Sequence, residues 1–222
     1  MKRLNAITDP KGFGTSIQAG PHDVDSWVFV AYDQLNLSLI ETIEQAIGTV
    51  GLVFIESAFK GRSRPYHKQK LALLLSNQRH FALEAQEAGY AVDYLVTQGT
   101  YAEALTVLAN EVGTIHCVEF AEYSTRIELQ PLIESGALVV HPHNGWLTPR
   151  SWFTETVGTA PPFRMDRFYR RVRKETGWLM VDAQPVGDKY SFSGVLKNFN
   201  WFPLMPLVRS VYGRHHCIVI SV

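Results

Sequence analysis

The side chains best placed to do chemistry stand immediately after apolar runs: Asp33-Gln34, Glu56, Glu119 with Glu122-Tyr123, and His143-Asn144. In an open α/β sheet, ligands bind outside the carboxyl ends of the strands, so a rim of carboxylates and amides there suits a heterocycle or a ribityl chain. The plainer alternative is that these residues cap the helices that follow, as Asp and Asn commonly do. His141-Pro142-His143 offers two imidazoles but no partner at a fixed ligand spacing, and reads as surface rather than as a metal site. Tyr32-Asp33-Gln34-Leu35 carries no glycine, so no phosphate loop follows the first strand. Gly12-Phe13-Gly14 precedes any strand, and no glycine-flanked serine elbow occurs.

The elements that must carry this rim alternate regularly. Apolar runs at 27–31, 51–55, 91–96, 114–118 and 137–141 read as five strands of a buried parallel sheet. Helices are expected over 39–47, from the basic stretch Arg64-Pro65-Tyr66-His67-Lys68-Gln69-Lys70 to Gly89, from a Thr100 cap to 112, and over 125–134. In the second of these, Leu71, Leu74, Leu75, Gln78, Phe81, Ala82 and Ala85 recur at near-helical spacing. Lys68 and Lys70 oppose the dipole at its first turn, a local conflict of the kind that function imposes. The fold class that follows is α/β, a five-stranded doubly wound parallel sheet of Rossmann-like type with a short C-terminal extension.

The division expected along the chain is a mobile extension over 1–25, the sheet domain over 26–146, linker helices over 147–192 and an atypical tail over 193–222. On the linker helix, Arg164, Arg167, Arg171 and Lys174 share a face that could hold DNA phosphates or, as we prefer, serve an interdomain contact. The formal net charge is zero, so total charge gives no argument for nucleic acid. Two cysteines, Cys117 and Cys217, are too few for a disulfide scaffold or a four-thiolate site. Apolar runs fall short of a membrane span and the start lacks a signal core, so a cytoplasmic protein with no membrane partner is expected.

Read together, these segments resemble the N-terminal domain of the deoxyribodipyrimidine photolyase-related branch of the cryptochrome/photolyase family, the bacterial iron–sulfur type. The resemblance is carried by Asp33-Gln34-Leu35, by Glu56, and by His67-Lys68-Gln69-Lys70 with Ser76 and Arg79-His80-Phe81. Further on it is carried by Glu119 with Glu122-Tyr123, by Met165-Asp166-Arg167-Phe168-Tyr169-Arg170 with Arg173, Thr176-Gly177 and Leu179-Met180, and by Gln184-Pro185-Val186-Gly187. It implies a domain that holds an antenna chromophore, a ribityllumazine, which passes excitation to FAD in a following helical domain that repairs pyrimidine dimers or six-four photoproducts. On that footing Asp33 and Gln34 contact the chromophore, Glu56 lies nearby, Leu74 packs on it, and Glu119 and Tyr123 complete the site. Lys60 and Ser63 stand where some relatives carry an acidic residue and a tyrosine, and Tyr32 where relatives often have glycine.

The pattern departs after Tyr190-Ser191-Phe192, where the family continues into several hundred residues of helices and this chain runs to Val222. The expectation is a truncated or frameshifted sequence whose FAD pocket, [4Fe-4S] ligands and DNA contacts belong to a missing C-terminal domain. Such a chain has no catalytic residues of its own and is inactive in repair alone. Two alternatives stay open: a stand-alone nucleotide- or flavin-type binder using the same crevice, and a non-functional fragment.

Overall fold

The computed structural model describes residues 2–3 and 24–190. The chain divides into two compact units, Met1–Leu147 and Thr148–Val222. The motif Gly12-Phe13-Gly14 and the tail expected over 193–222 lie outside the described residues.

The first unit is built on a six-stranded sheet: β1 (Lys2–Arg3), β2 (Ser26–Phe29), β3 (Val50–Ser57), β4 (Ala91–Thr97), β5 (Ile115–Val118) and β6 (Leu138–His141). They lie in the order β1-β4-β3-β2-β5-β6. The five strands β2 to β6 are all parallel, as the alternating pattern predicts. β1 is the addition. Lys2 and Arg3 pair antiparallel with Val96 and Leu95, which puts two residues of the expected mobile extension on the open edge of β4.

Helices α1 (Leu37–Ile47), α2 (Ala58–Arg62), α3 (Lys68–Glu87), α4 (Tyr101–Val112) and α5 (Tyr123–Glu134) connect the strands. Their starts follow local chemistry. Asn36 Oδ1 accepts from the Ser38 amide at 3.0 Å, and Thr100 with Glu103 forms a capping box. α3 closes where Gly89 adopts φ +98°, a backbone that L side chains rarely take.

Period-two alternation sorts the strand residues between two cores. On one face Val28, Leu52, Phe54 and Tyr94 meet Ile40 and Ile43 of α1 and Phe81, Ala82 and Ala85 of α3. On the other, Phe29, Val53, Ile55 and Leu95 meet Leu105 and Leu108 of α4 and Leu129 of α5. At Gly51 the Trp27 ring comes so close that a Cβ would lie 2.7 Å from it, so only glycine fits that crossing. β3 is one of the two central strands, with its first seven residues buried. It runs two residues past the expected end at Ile55, because Glu56 and Ser57 stay in register with Val96 and Thr97 of β4.

In the second unit, α6 (Arg150–Val157) and α7 (Met165–Thr176) precede a hairpin of β7 (Met180–Val181) and β8 (Gln184–Pro185). Phe168 of α7 packs edge-on against Phe153 of α6, ring centroids 5.3 Å apart. Two members of the basic face are engaged within the unit: Arg164 pairs with Asp166, and Arg171 with Glu155 at 2.7 Å.

Candidate functional site

The order in which successive strands are added reverses between the parallel β2 and β5, the position where open α/β folds usually place a ligand. Here that crevice is stitched shut by a side chain. Gln34 is buried, and its Nε2 donates to the carbonyls of Val118 and Glu119, the latter at 2.9 Å. Its Oε1 is buried without a partner.

The open cavity lies beside this stitch, at the carboxyl ends of β3 and β4, and measures about 400 Å³. Ile55, Glu56 and Val96 form its floor, α2 one wall, and Leu71, Leu74 and Leu75 of α3 the other. Tyr32, Tyr66 and Tyr101 add aromatic surface. The helix explains the opening. In its second half Gln78, Phe81, Ala82 and Ala85 are buried, whereas in its first half Leu73 is 61% and Leu75 38% exposed. A helix whose leucine-rich first half meets no facing layer leaves apolar surface for a guest.

Two ion pairs frame the cavity. Glu56 is buried, and its Oε1 accepts from Arg79 Nε at 2.6 Å and from the Tyr94 hydroxyl at 2.6 Å, while Oε2 accepts from the second Arg79 nitrogen at 2.9 Å. Such a bidentate pair, backed by a phenol, holds the charge in place at the floor. Burial and then the Glu56 charge push the Tyr94 hydroxyl upward, keeping it a donor. Gln78 Nε2 donates to the Ile55 carbonyl at 3.2 Å and closes the inner end.

The second pair is Lys60 Nζ with Glu122 at 2.7 Å. Glu122 also accepts from Ser124 Oγ at 2.7 Å, Thr125 Oγ1 at 3.0 Å and the Tyr32 hydroxyl at 3.0 Å. Burial pushes its carboxyl up, but the donors Lys60, Ser124, Thr125 and Tyr32 more than reverse this and leave it at about 2. Tyr32 is pushed the other way, by burial and by its bond to Glu122.

Of the six site residues expected from sequence, the structure brings Glu56 and Leu74 to this cavity. The other four do not line it. Gln34 is consumed by the stitch to β5, and Asp33 lies outside the cavity, its carboxyl raised chiefly by partial loss of hydration. Glu119 uses its backbone amide to bind the His141 carbonyl, and Tyr123 is 69% exposed with Arg126 over its ring. The physical reason is the same for these four: they follow β2 and β5, and the opening lies over β3 and β4. The Lys60–Glu122 hub is the feature that sequence reasoning missed. Its partners are more than 60 residues apart, and the visible signal was only a lysine at an unexpected position.

His141 also has a partner that the sequence did not suggest. Its Nε2 lies 2.9 Å from His116 Nδ1 across β5 and β6, and burial lowers both rings, which favours a neutral donor–acceptor pair. His143 instead stacks on Trp146, centroids 4.5 Å apart.

Comparison with known proteins places this geometry. The family model described as deoxyribodipyrimidine photo-lyase-related protein matches residues 28–194. A (6-4) photolyase of Agrobacterium fabrum is 28% identical over 180 residues, which covers 74% of this chain and 34% of that protein. The chain therefore spans about a third of the length of this curated relative. Because the family model runs from within β2 through the other four parallel strands, the Glu56 and Glu122 pairs and both helices of the second unit, the chain belongs to the deoxyribodipyrimidine photo-lyase-related protein family.

Proposed function

We propose that the first unit is a light-harvesting domain and that its cavity holds an antenna chromophore of the ribityllumazine type. The observation that carries this reading is the uncovered leucine wall of α3 facing three tyrosines over a floor of Ile55 and Val96. A flat heterocycle buries both faces against such walls, and the volume falls within the roughly 300–1,000 Å³ of small-molecule sites. Aromatic edges and faces at Tyr32, Tyr66 and Tyr101 suit a π-system. When bound, a lumazine absorbs light and hands its excitation to a flavin.

The chain's own contribution is binding and orientation. Glu56, already saturated by Arg79 and Tyr94, supplies a fixed dipolar floor rather than a proton. Lys60, held by Glu122, sets the position of the α2 wall. The light-driven repair of a DNA photoproduct, the activity named for the Agrobacterium relative, is the reaction this domain would serve in a whole protein. The reading is tested by adding ribityllumazine to the purified chain, removing free ligand, and recording absorption and fluorescence. Retention by the wild type and loss in Leu74→Trp, which fills the cavity, is the expected result. A soluble wild-type chain that retains no chromophore overturns the proposal.

A further inference from the structure

Two side chains cross from the loop after β2 to the loop after β5, and one of the two borders the cavity. Gln34 reaches the carbonyls of Val118 and Glu119 and does not line the opening. Tyr32 donates its hydroxyl to Glu122 Oε2 at 3.0 Å and does line it. Tyr32 therefore stands between the chamber over β3 and β4 and the crevice where the strand order reverses.

The walls of the chamber differ in how far they can yield. The carboxylate that pins Tyr32 also accepts from Lys60, Ser124 and Thr125. Lys60 belongs to α2, so one carboxylate fixes both the tyrosine end of the chamber and the α2 wall. Tyr101 is buried, with its ring 5.6 Å from that of Phe29. On the α3 side, Leu71 and Leu74 are half-buried and Leu75 is exposed, so these side chains are free to change rotamer. A guest that is too wide presses on leucines that give way. One that is too long meets Tyr32, which moves only by breaking its bond to a saturated carboxylate. At about 400 Å³ the chamber is also near the small end of the range for small-molecule sites.

We propose that Tyr32, pinned by Glu122, is the specificity-determining residue of this cavity: it admits a two-ring heteroaromatic compound such as a lumazine and excludes a three-ring one such as a flavin. This inference rests on the chromophore-pocket reading and adds to it the number of fused rings that the site accepts.

Ribityllumazine and riboflavin carry the same ribityl chain and pyrimidinedione and differ by one fused ring, so they serve as the probe pair. Dissociation constants for both are measured by fluorescence titration in the wild type, in Y32A and in Y32F, with far-UV circular dichroism as the control for folding. The wild type should bind ribityllumazine about 30-fold more tightly than riboflavin or better, the scale on which an unyielding pocket rejects added bulk. Y32A should bring that ratio to within about threefold, mainly by tightening riboflavin. Y32F keeps the ring and removes the pin, so the ratio should fall by about three- to tenfold, the worth of one hydrogen bond. A variant that merely loosens the fold weakens both probes alike and leaves the ratio where it was, so the ratio reads the wall itself. If Y32A does not stay soluble, Y32F carries the test. A wild-type ratio near one, or a ratio unchanged in the soluble variants, overturns the inference and leaves the chromophore reading standing. Binding of riboflavin but not ribityllumazine overturns both, and binding of neither removes the pocket reading and this inference with it.

Discussion

The sheet unit and the α6–β8 unit are stabilised by different physics. Apart from Pro185, the buried aliphatic and aromatic side chains among the described residues lie between Trp27 and Leu138. In the second unit several large apolar residues face outward, Trp178 66%, Leu179 63% and Val181 61% exposed, and Phe153 and Phe168 are only half-buried. One side chain takes over the organising role there. Arg173 is buried and donates to the carbonyls of Trp178, Leu179, Lys189 and Tyr190, with its guanidinium over the rings of Tyr169 and Tyr190. Area stabilises the first unit, and a guanidinium caging carbonyls stabilises the second. The lesson is that apolar truncation and charge removal should have opposite rankings in the two.

The largest effect is expected in the sheet. Phe54 is fully buried between Phe81 and Tyr94, so Phe54→Ala should destabilise the first unit by about 3–5 kcal/mol in urea unfolding. The matching truncation in the second unit, Val181→Ala, should change stability by less than about 0.5 kcal/mol. Comparable losses would break the contrast.

Glu122 sharpens it within the sheet unit, since a charge there matters only through its four donors. Its folded carboxyl lies near 2, below the ordinary value of 4.5. The stability it contributes is therefore complete above about pH 5 and is lost as pH falls toward 2. Glu122→Gln should cost about 2 kcal/mol at neutral pH, with the difference from wild type closing across that acid window. A difference that persists unchanged to pH 2 would show that the carboxylate charge is not what holds Lys60.

A smaller effect should follow removal of the guanidinium. Arg173→Met keeps the stem and frees carbonyls that water can reach, so the loss should be about 1–2 kcal/mol and local. Hydrogen exchange of the 178–190 amides should quicken by about tenfold or more, with the β3 and β4 amides unmoved. Equal acceleration in both units would mean that they open as one.

The same contrast explains what the sequence revealed. Five strands and four of the helices were legible because a large core imposes period and punctuation: the uninterrupted run before Glu56, the Thr100 cap, the stop at Gly89. Glu56 stood out as the polar residue that ends an apolar strand, whereas Leu74 entered only through the family resemblance; both line the cavity. Which strand ends carry the opening was not legible, because it depends on Gln34 reaching β5 across 84 positions and on Glu122 reaching Lys60. Pairings of that length leave no local period. In the second unit the basic stripe was visible, but nothing distinguished Arg173, the buried arginine, from the exposed Arg167 and Arg170.

The smallest expected effect tests whether local backbone chemistry limits the second unit. The β7–β8 hairpin turns through Asp182 and Ala183, with φ of 48° and 61°. Two central residues at positive φ mark a type I′ turn, for which Asp-Gly is a preferred pair and alanine carries a Cβ against the carbonyl. In a unit with a large core such strain would be a minor correction, but here the hairpin has few apolar contacts to offset it. Ala183→Gly should therefore slow amide exchange at Val181 and Gln184 by about two- to threefold, equivalent to about 0.5 kcal/mol, despite the extra freedom glycine gives the unfolded chain. The same substitution at Ala82, fully buried within α3, should destabilise the sheet unit by about 1 kcal/mol. Opposite signs for one chemical change follow from the backbone each alanine occupies, left-handed at Ala183 and helical at Ala82, and the size of the gain at Ala183 reads how little packing offsets its strain.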